Sequence, residues 1–336
     1  MVACAAICGE NRAMRVLVTY GGYSIDHPDA GGTLARAGLS AEMHPRQSDR
    51  TPDELSALIG DAVAVIADAD PFNADVLERA ANLRVIARTG VGLDSIDLEA
   101  ATHHGVIVTV TPNVNNETVA DHTLALILAV LRRVRLEDAR VRAGGWRAFE
   151  EPLGQIHGRT VGLIGYGAIG RAVARRIEAF GARLLVHDPF VDAAEVELTA
   201  LDDLLAQSDI VSLHLPLSPE TLHVIDADAL ARMKPGAVLV NTARGPLVDQ
   251  AALVEALVEG RLGGAGLDVF ETEPPAGDAV LALDRIVASP HIGGISDAAN
   301  LAMSRLATGS VLAALDGRAE GTVVNPDALR NAVWAR

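Results

Sequence analysis

Three short segments late in the chain carry side chains that could together move a hydride and a proton. Arg244 lies in NTARG, Glu273 in LDVFETEP and His291 in SPHIGG, and each segment contains or follows an apolar strand-like run. A histidine can give a proton to a carbonyl oxygen and take it back. A carboxylate beside it favours the imidazolium, and an arginine can bind a substrate carboxylate. The three residue types therefore predict the interconversion of a 2-oxo acid and a 2-hydroxy acid.

Each of these residues also has a structural interpretation. Arg244 could form a surface ion pair, Glu273 could precede the turn at Pro274 and Pro275, and His291 could be a buried histidine whose hydrogen bonds are satisfied. In open α/β sheets, however, ligands bind at the carboxyl ends of the strands. Because all three residues occur at successive predicted strand ends, the catalytic interpretation is favoured.

The segment LIGYGAIGRAVARRI contains three glycines with the spacing of a dinucleotide-binding turn. The triplet Gly165-x-Gly167-x-x-Gly170 follows an apolar strand directly and leads into an amphipathic helix. Gly165 would permit the tight turn, Gly167 would let a pyrophosphate approach the backbone, and Gly170 would let the helix pack on the strand. The backbone amides near Ala168 and Ile169 would then face the diphosphate at the helix N-terminus.

An acidic residue follows this motif at the expected distance. Asp188 lies 18 positions after Gly170, at the end of the strand-like RLLVHDP. A carboxylate there accepts hydrogen bonds from the ribose hydroxyls and repels a 2′-phosphate. The sequence thus predicts NAD rather than NADP as the cofactor, against the alternative of a structural turn with an incidental aspartate.

The elements that must position these residues fall into two series. The first contains four strand-like runs with helical segments among them, at residues 15–20, 62–68, 83–89 and 105–112. A single long helix is predicted from Glu117 to about Arg142, with Asp121 and His122 at its start supporting a hinge. An irregular arm follows, and six further strand candidates begin at Thr160. Alternating strands and helices predict an α/β fold with two doubly wound parallel sheets.

Composition excludes several other functions. The 336 residues suffice for two domains, and a net charge of −16 opposes binding to nucleic acid. Lys234 is the only lysine, which removes a P-loop lysine and makes Schiff-base chemistry unexpected. The sequence contains no Gly-x-Ser-x-Gly nucleophile elbow.

Neither a metal site nor a membrane segment is expected. The two cysteines lie in the leader MVACAAIC, and His103 and His104 are adjacent and therefore point to opposite sides. His187 and His214, at strand ends, could stack on an adenine or serve a structural role. The longest apolar run, residues 124–131, is too short to span a bilayer, and the leader lacks the basic start of a signal peptide. We expect a cytoplasmic protein whose residues 1–13 are a disordered leader, with Met1 or Met14 as the natural start.

From about Ala62 to Pro326 the sequence resembles the D-isomer-specific 2-hydroxyacid dehydrogenases. The motifs that carry the resemblance are RVIARTGVGLDSIDLEAA, GYGAIG, HLPLSPETLHVI, MKPGAVLVNTARGPLVD, GAGLDVFETEP and SPHIGG. The resemblance implies that Arg244, Glu273 and His291 are catalytic. It implies that Asp268 holds the nicotinamide carboxamide and that further positions line the cofactor, namely Leu215, Thr242, Ala243, Gly293 and Gly294. It also implies that the loop Gly90, Val91 and Gly92, together with Arg244, receives the substrate carboxylate.

The resemblance further implies a domain organisation and a partner. Residues 1–112 and 296–336 would form a split, flavodoxin-like substrate domain, and residues 113–295 would form a Rossmann NAD-binding domain. Two chains would pair as a homodimer through the NAD domains, with the long helix and the arm around Trp146 wrapping the partner. The only other partner expected is a small 2-hydroxy or 2-oxo acid.

Two departures from family members that oxidise 3-phosphoglycerate bear on the substrate. The chain ends shortly after Pro326, so a C-terminal serine-sensing domain is not expected. Where those members place a basic residue after the second predicted strand, this chain has Asp68 and Asp70, which would oppose a phosphate unless both carboxylates point away. An unphosphorylated acid is therefore favoured over 3-phosphoglycerate, and an NAD(H)-sensing binding protein is the alternative from another class.

Overall fold

The computed structural model describes residues 13–45, 50–147, 153–191, 196–318, 322–332 and 334. The predicted leader lies outside these residues except for Ala13, as does the middle of the arm that follows the long helical stretch. The chain divides into two compact units, Met1–Asn115 with Ser296–Arg336, and Asn116–Ile295. The two units are called unit 1 and unit 2 below.

The elements follow one another along the chain with strands and helices largely in alternation. The first part of unit 1 contains β1 Met14–Val18, α1 Gly31–Arg36, β2 Leu39–Met43, α2 Pro52–Ile59, β3 Ala64–Ala67, α3 Ala74–Arg79, β4 Val85–Arg88, α4 Leu98–His103 and β5 Ile107–Thr109. Unit 2 contains α5 Asn116–Leu131, α6 Val134–Arg142, β6 Thr160–Ile164, α7 Ala168–Ala179, β7 Arg183–His187, α8 Leu201–Gln207, β8 Ile210–Leu213, α9 Ala227–Arg232, β9 Val238–Asn241, α10 Gln250–Val258, β10 Gly264–Leu267 and β11 Ile286–Ala288. The chain returns to unit 1 with α11 Asp297–Leu315 and α12 Ala328–Asn331.

Unit 1 is built on a five-stranded parallel sheet in the order β2-β1-β3-β4-β5. This is the flavodoxin-like order, in which the chain reverses direction across the sheet between β1 and β3. Successive residues of β1 pack on opposite faces, Val16 and Val18 with α11 on one and Leu17 with α2 on the other. Because helices cover both faces, the central strands are continuous apolar runs rather than alternating ones.

Unit 2 is built on a six-stranded parallel sheet in the order β11-β10-β9-β8-β6-β7. The chain leaves β6 toward β7 on one side and returns to β8 on the other. Such a reversal opens a crevice at the carboxyl ends of the two central strands, where open α/β sheets bind their ligands. The predicted α/β architecture with two parallel sheets is confirmed, and all six predicted strands of this second series are present.

Two predictions about elements were wrong. The first series omitted β2, which is an edge strand with only Leu39 buried and therefore has a weak apolar signal. The single long helix is instead α5 and α6, separated by Arg133 in a left-handed conformation at φ 52°. The apolar face of α5 is buried in unit 2, whereas α6 has no buried residue. Asp121 and His122 consequently lie inside α5 rather than at its start.

Candidate functional site

The glycine triplet of unit 2 has the geometry that each position was expected to need. Gly165 has a φ of +94°, and a β-carbon on it would lie 2.4 Å from the carbonyl oxygen of His214 at the end of β8. A β-carbon on Gly170 would lie 2.4 Å from the carbonyl oxygen of Gly165, so α7 packs on the loop only because that carbon is absent. A β-carbon on Gly167 would meet open space, with no atom of the described residues within 4 Å apart from the adjoining chain.

The N-terminus of α7 offers backbone donors toward that open space. Gly167 is the N-cap residue, and no side chain caps the helix there. The amides of the first turn, which includes Ala168 and Ile169, thus have no partner within the helix and no capping oxygen. Such a helix end attracts a phosphate through its N–H groups and its dipole. An open cradle above a helix N-terminus fits the diphosphate of a dinucleotide.

Asp188, directly after β7, is oriented by the glycine loop itself. Its Oδ2 accepts a 2.8 Å hydrogen bond from the Tyr166 N–H, and its Oδ1 accepts one of 2.9 Å from the Phe190 N–H. A carboxylate has about four lone-pair sites, so each oxygen retains one acceptor position. The residues present therefore fit an NAD ribose, whose two hydroxyls are donors.

His214, at the end of β8, sits directly behind this loop. Its Nε2 lies 2.9 Å from the Ser212 hydroxyl, and its Nδ1 is buried without a hydrogen-bond partner among the described residues. Burial lowers the pKa of His214 to about 3, so the ring is neutral near pH 7. His187, in contrast, lies 3.1 Å through its Nδ1 from the Thr199 carbonyl oxygen.

The loop after β9 carries three of the predicted residues and is shaped by one that the sequence analysis missed. Asn241 is 1% exposed, its Nδ2 donates to the Arg244 carbonyl oxygen at 2.7 Å, and its Oδ1 accepts from the Ala243 N–H at 3.0 Å. Thr242 is buried, and its hydroxyl lies 3.0 Å from that of Thr123. Asn241 thereby fixes the backbone from which the half-buried Arg244 projects.

His291 and Glu273, which come from different loops, form a pair. His291 Nδ1 lies 2.8 Å from Glu273 Oε2, and Glu273 Oε1 also accepts a hydrogen bond from the Phe270 N–H at 3.1 Å. Burial alone would raise the pKa of Glu273, but the hydrogen bond and charge of His291, the Phe270 N–H and the charge of Arg244 hold it below its usual range. Glu273 is therefore an anion near neutral pH, as a partner of an acid-base histidine should be.

Asp268 accepts several hydrogen bonds from the loop that carries His291. Its Oδ1 accepts from the Ser289 hydroxyl at 2.6 Å and from the Ile292 N–H at 2.9 Å, and its Oδ2 accepts from the Gly293 N–H at 2.7 Å. Burial would raise the pKa of Asp268, but hydrogen bonds from His122, Ser289 and the two amides hold it below its usual range. Oδ2 retains one acceptor position, which fits the N–H of a carboxamide.

Two further predicted cofactor residues and two residues without a predicted site role lie at this edge of unit 2. Leu215 is partly buried against the apolar core below the sheet, and Gly294 is half-buried beside the buried Gly293. His122 and Ser289 lie in the same network as Asp268, with 2.8 Å between His122 Nε2 and Ser289 Oγ. Sequence reasoning assigned neither a role at the site. The only signal was that Ser289 stands two residues before His291.

The predicted substrate loop lies in unit 1, after β4. Gly90 has a φ of +149°, its carbonyl oxygen accepts from the Thr111 N–H at 2.9 Å, and Val91 is 52% exposed. The guanidinium of Arg88 folds under this loop, within 3.5 Å of where a β-carbon of Gly90 would lie. Arg88 therefore packs against the loop Gly90 to Gly92, in which Val91 is exposed and both glycines are half-buried.

The acidic pair after β3 does not present two uncompensated charges. Asp70 is completely buried, where it binds the Arg50 guanidinium and the Thr19 hydroxyl. Asp68 lies 3.8 Å from Arg88 Nη1 and is partly exposed. The premise that both carboxylates would repel a substrate phosphate is therefore wrong for Asp70, because its charge is compensated within unit 1.

The chain is similar to one family of known proteins over much of its length. Residues 124–293 match the model of the D-isomer specific 2-hydroxyacid dehydrogenase NAD binding domain. A D-3-phosphoglycerate dehydrogenase of Mycobacterium tuberculosis is 45% identical over 247 residues, which cover 72% of this chain and 47% of that protein. The chain spans about half the length of such relatives. A glyoxylate reductase of Korarchaeum cryptofilum is 43% identical over 271 residues, covering 78% of this chain and 82% of that protein.

Solved structures agree with the sequence comparison. A protein of Thermus thermophilus superimposes with a TM-score of 0.84 at 43% identity, covering 93% of this chain and 100% of that one. A D-lactate dehydrogenase of Aquifex aeolicus, complexed with NAD and lactic acid, superimposes with a TM-score of 0.79 at 30% identity, covering 93% and 99%. Within the part of the chain that the structure describes, no helix has the length and apolar character needed to cross a membrane.

Proposed function

The chain belongs to the D-isomer specific 2-hydroxyacid dehydrogenase family, and from that premise we propose that it is an NAD-dependent enzyme that interconverts a small D-2-hydroxy acid and its 2-oxo acid. The observation that carries the proposal is the 2.8 Å contact of His291 Nδ1 with Glu273 Oε2. This pair lies at the carboxyl edge of the sheet whose glycine loop fits a dinucleotide. A proton donor and a hydride carrier are the two components that the reaction requires.

His291 is the proposed acid and base. NAD held by the glycine loop and Asp188 would supply the hydride chemistry at C2 of the acid. Because Nδ1 of His291 is engaged by Glu273, Nε2 is the atom that remains to give a proton to the substrate oxygen or take one from it. The anionic Glu273 stabilises the imidazolium and fixes the ring orientation.

Arg244 is the proposed anchor of the substrate carboxylate. Its guanidinium carries a fixed fork of donors that matches a carboxylate, and Asn241 holds its backbone in place. From the resemblance we assign the loop Gly90 to Gly92 of unit 1 to a substrate carboxylate, through the amides of Val91 and Gly92, because the Gly90 N–H donates to the Arg88 carbonyl oxygen at 3.1 Å. The guanidinium of Arg244 would also polarise the neighbouring carbonyl and align it for hydride transfer.

The cofactor assignment includes a preference for NAD over NADP. Both oxygens of Asp188 are oriented by backbone N–H groups and each keeps an acceptor position. A 2′-phosphate would meet this carboxylate as a like charge, which is unfavourable. Asp188→Ser removes the charge, and the ratio of kcat/KM with NADH to that with NADPH should fall by about 100-fold.

Two classes of substrate are candidates, an unphosphorylated 2-oxo acid and a phosphorylated one. Relatives named D-3-phosphoglycerate dehydrogenase and relatives named glyoxylate reductase are about equally similar to the chain. The buried ion pair of Asp70 with Arg50 removes one argument against a phosphate, while the partly exposed Asp68 beside β3 still disfavours it. We retain an unphosphorylated 2-oxo acid as the leading proposal and phosphohydroxypyruvate as the alternative.

One assay tests the reaction and the substrate together. Oxidation of NADH is followed with glyoxylate, hydroxypyruvate, pyruvate, 2-oxoglutarate and phosphohydroxypyruvate, with NADPH as the paired control. A preference for an unphosphorylated acid supports the leading proposal, and a preference for phosphohydroxypyruvate supports the alternative. NADH that binds but is not consumed with any of the five acids would instead favour an NAD(H)-sensing protein.

We also propose, from the resemblance, that two chains pair through unit 2. The surface of α6 and the start of the arm leaves large apolar side chains exposed, with Val134 at 52%, Val141 at 55% and Trp146 at 71%. Contiguous exposed apolar groups are typical of a surface that a partner covers. Light scattering should give twice the chain mass of 35.0 kDa, and Val141→Glu should shift it toward the monomer.

A further inference from the structure

His122, in α5, reaches the loop that carries His291. Its Nε2 lies 2.8 Å from Ser289 Oγ and 3.4 Å from Asp268 Oδ1. A β-carbon on Gly293 would lie 3.4 Å from His122 Cδ2 and 2.7 Å from Asp268 Oδ2. The imidazole therefore packs against both ends of the segment Ser289 to Gly293, at the middle of which His291 stands.

The hydrogen bonds fix which atom donates. Ser289 has one hydroxyl proton, and Asp268, an anion, can only accept, so the 2.6 Å contact between them uses that proton. Ser289 Oγ can then take part in its second contact only as an acceptor. His122 Nε2 must carry a proton and donate it, which selects the Nε2–H form of the ring. His122 thus donates mainly to Ser289 and, over the longer distance of 3.4 Å, toward Asp268 Oδ1, while Ser289 donates to Asp268.

This chain of hydrogen bonds ends at the group that holds the loop. Asp268 is 1% exposed and accepts the amides of Ile292 and Gly293. Removing the His122 donor weakens the hydrogen bond of the Ser289 hydroxyl to Asp268, because hydrogen bonds in a chain polarise one another, and a less firmly held Asp268 can change rotamer. The backbone of His291 has a φ of +54°, a conformation that a residue with a side chain keeps only when its surroundings enforce it.

We propose that His122 is a positioning residue, which by donating from Nε2 to Ser289 keeps Asp268 and the loop of His291 in the geometry needed for proton transfer. The expected effect on kcat rests on the proposed function. The expected effect on the order of the His291 loop does not. The kinetic effect should appear in kcat rather than in substrate affinity, because neither His122 nor Ser289 is a proposed ligand of the substrate or of NAD.

The first experiment needs no cofactor and no activity. Hydrogen exchange of the Ile292 and Gly293 amides is measured in the full chain, in His122→Met and in His122→Gln. Gln carries an amide nitrogen near the position of the histidine Nε2, whereas Met fills the space without a donor. Protection of both amides should fall about 10-fold in His122→Met and stay near wild type in His122→Gln. His223→Met, in the same unit, is the matched control and should leave both amides unchanged.

The second experiment measures turnover with the best acid from the NADH assay. His122→Met should lower kcat about 30-fold, since small misplacements of an acid-base group are costly. The KM of the acid should stay within about 3-fold of wild type, and His122→Gln should recover most of kcat. Ser289→Ala should lower kcat similarly, and the double variant should lose no more than Ser289→Ala alone.

Specific outcomes would overturn the inference. Unchanged exchange in His122→Met would show that the imidazole does not hold the loop. Equal losses in His122→Met and His122→Gln, or additive losses with Ser289→Ala, would show packing rather than donation. Failure of the proposed function is seen separately, as absence of NADH oxidation in the wild-type chain, and the exchange result remains interpretable in that case.

Discussion

Unit 2 contains two histidine-glutamate pairs that are almost the same at the level of their contacts. His291 and Glu273 approach to 2.8 Å, and His223 and Glu271 approach to 2.6 Å. Both histidines have a positive φ, 54° and 50°, and the two glutamates belong to one loop after β10. All four side chains are partly exposed, at 50% and 38% in the first pair and 38% and 35% in the second.

The surroundings of the two pairs differ. The His291 loop is held by the buried carboxylate of Asp268, which binds the Ile292 and Gly293 amides, and it lies at the carboxyl edge of the sheet, between β11 and α11. The His223 loop is held by backbone hydrogen bonds, from its own N–H to the Pro246 carbonyl oxygen and from the Ile225 N–H to that of Leu247. The neutral hydroxyl of Thr221 adds hydrogen bonds within the loop. A short histidine-carboxylate distance therefore does not identify an acid-base pair. The position in the sheet and the fixed charge beneath the loop distinguish the two.

The largest effect should come from removing one histidine of each pair. His291→Gln eliminates the group proposed to transfer the proton and should lower kcat by about 1,000-fold. His223→Gln makes the same chemical change in a pair of similar exposure and should keep kcat within about 2-fold. Steady-state NADH oxidation measures both. Equal losses in the two variants would abolish the distinction between the pairs.

Neutralising the glutamates should give a smaller difference. Glu273→Gln removes the anion that stabilises the imidazolium but leaves His291 in place, so kcat should fall by about 100-fold. Glu271→Gln should change kcat by less than about 2-fold, because an exposed ion pair contributes little. The two variants are compared at several pH values. A Glu271→Gln enzyme as impaired as Glu273→Gln would assign both pairs to the site.

The negative charge of Asp268, which holds the loop of the His291–Glu273 pair, can be removed by substitution. Asp268→Asn keeps one acceptor oxygen but turns an NH₂ group toward a backbone N–H, which leaves a buried donor without an acceptor. The free energy of unfolding should fall by about 2 kcal/mol. Glu271→Gln, with no such buried network, should change it by less than about 0.5 kcal/mol. Urea titrations followed by circular dichroism measure both, and similar values would contradict the role given to Asp268.

Acid should destabilise the His291 loop at a higher pH than the His223 loop. The pKa of Asp268 is held below its usual range, so its contribution to stability is present above the ordinary carboxylate pKa of about 3.9 and is lost as pH falls through the lower folded value. Protection of the Ile292 and Gly293 amides should therefore decline below about pH 4, relative to that of Ile225, whose acceptor is a carbonyl oxygen that does not titrate. Parallel loss at all three amides would point to global unfolding instead.

Sequence alone allowed the parts of the site that depend on local backbone requirements to be predicted. The spacing of Gly165, Gly167 and Gly170 is dictated by one turn between a strand and a helix, and Asp188 follows one strand later. The six strands of unit 2 are continuous apolar runs because both faces of the sheet are covered. The edge strand β2 and the break at Arg133 gave no comparable signal, because their positions depend on what packs against them.

The sequence by itself determined the types of chemistry available to this chain, with Arg244, Glu273 and His291 following apolar strands and a glycine turn for a dinucleotide. Only the tertiary structure decided which residues meet. His122 contacts Ser289, which lies 167 positions later in the chain, and Asp70 binds Arg50 in the interior of unit 1. The physical reason is that a hydrogen bond between distant segments depends on how helices and strands pack, and packing is set by buried surface across the whole unit rather than by the residues of the pair.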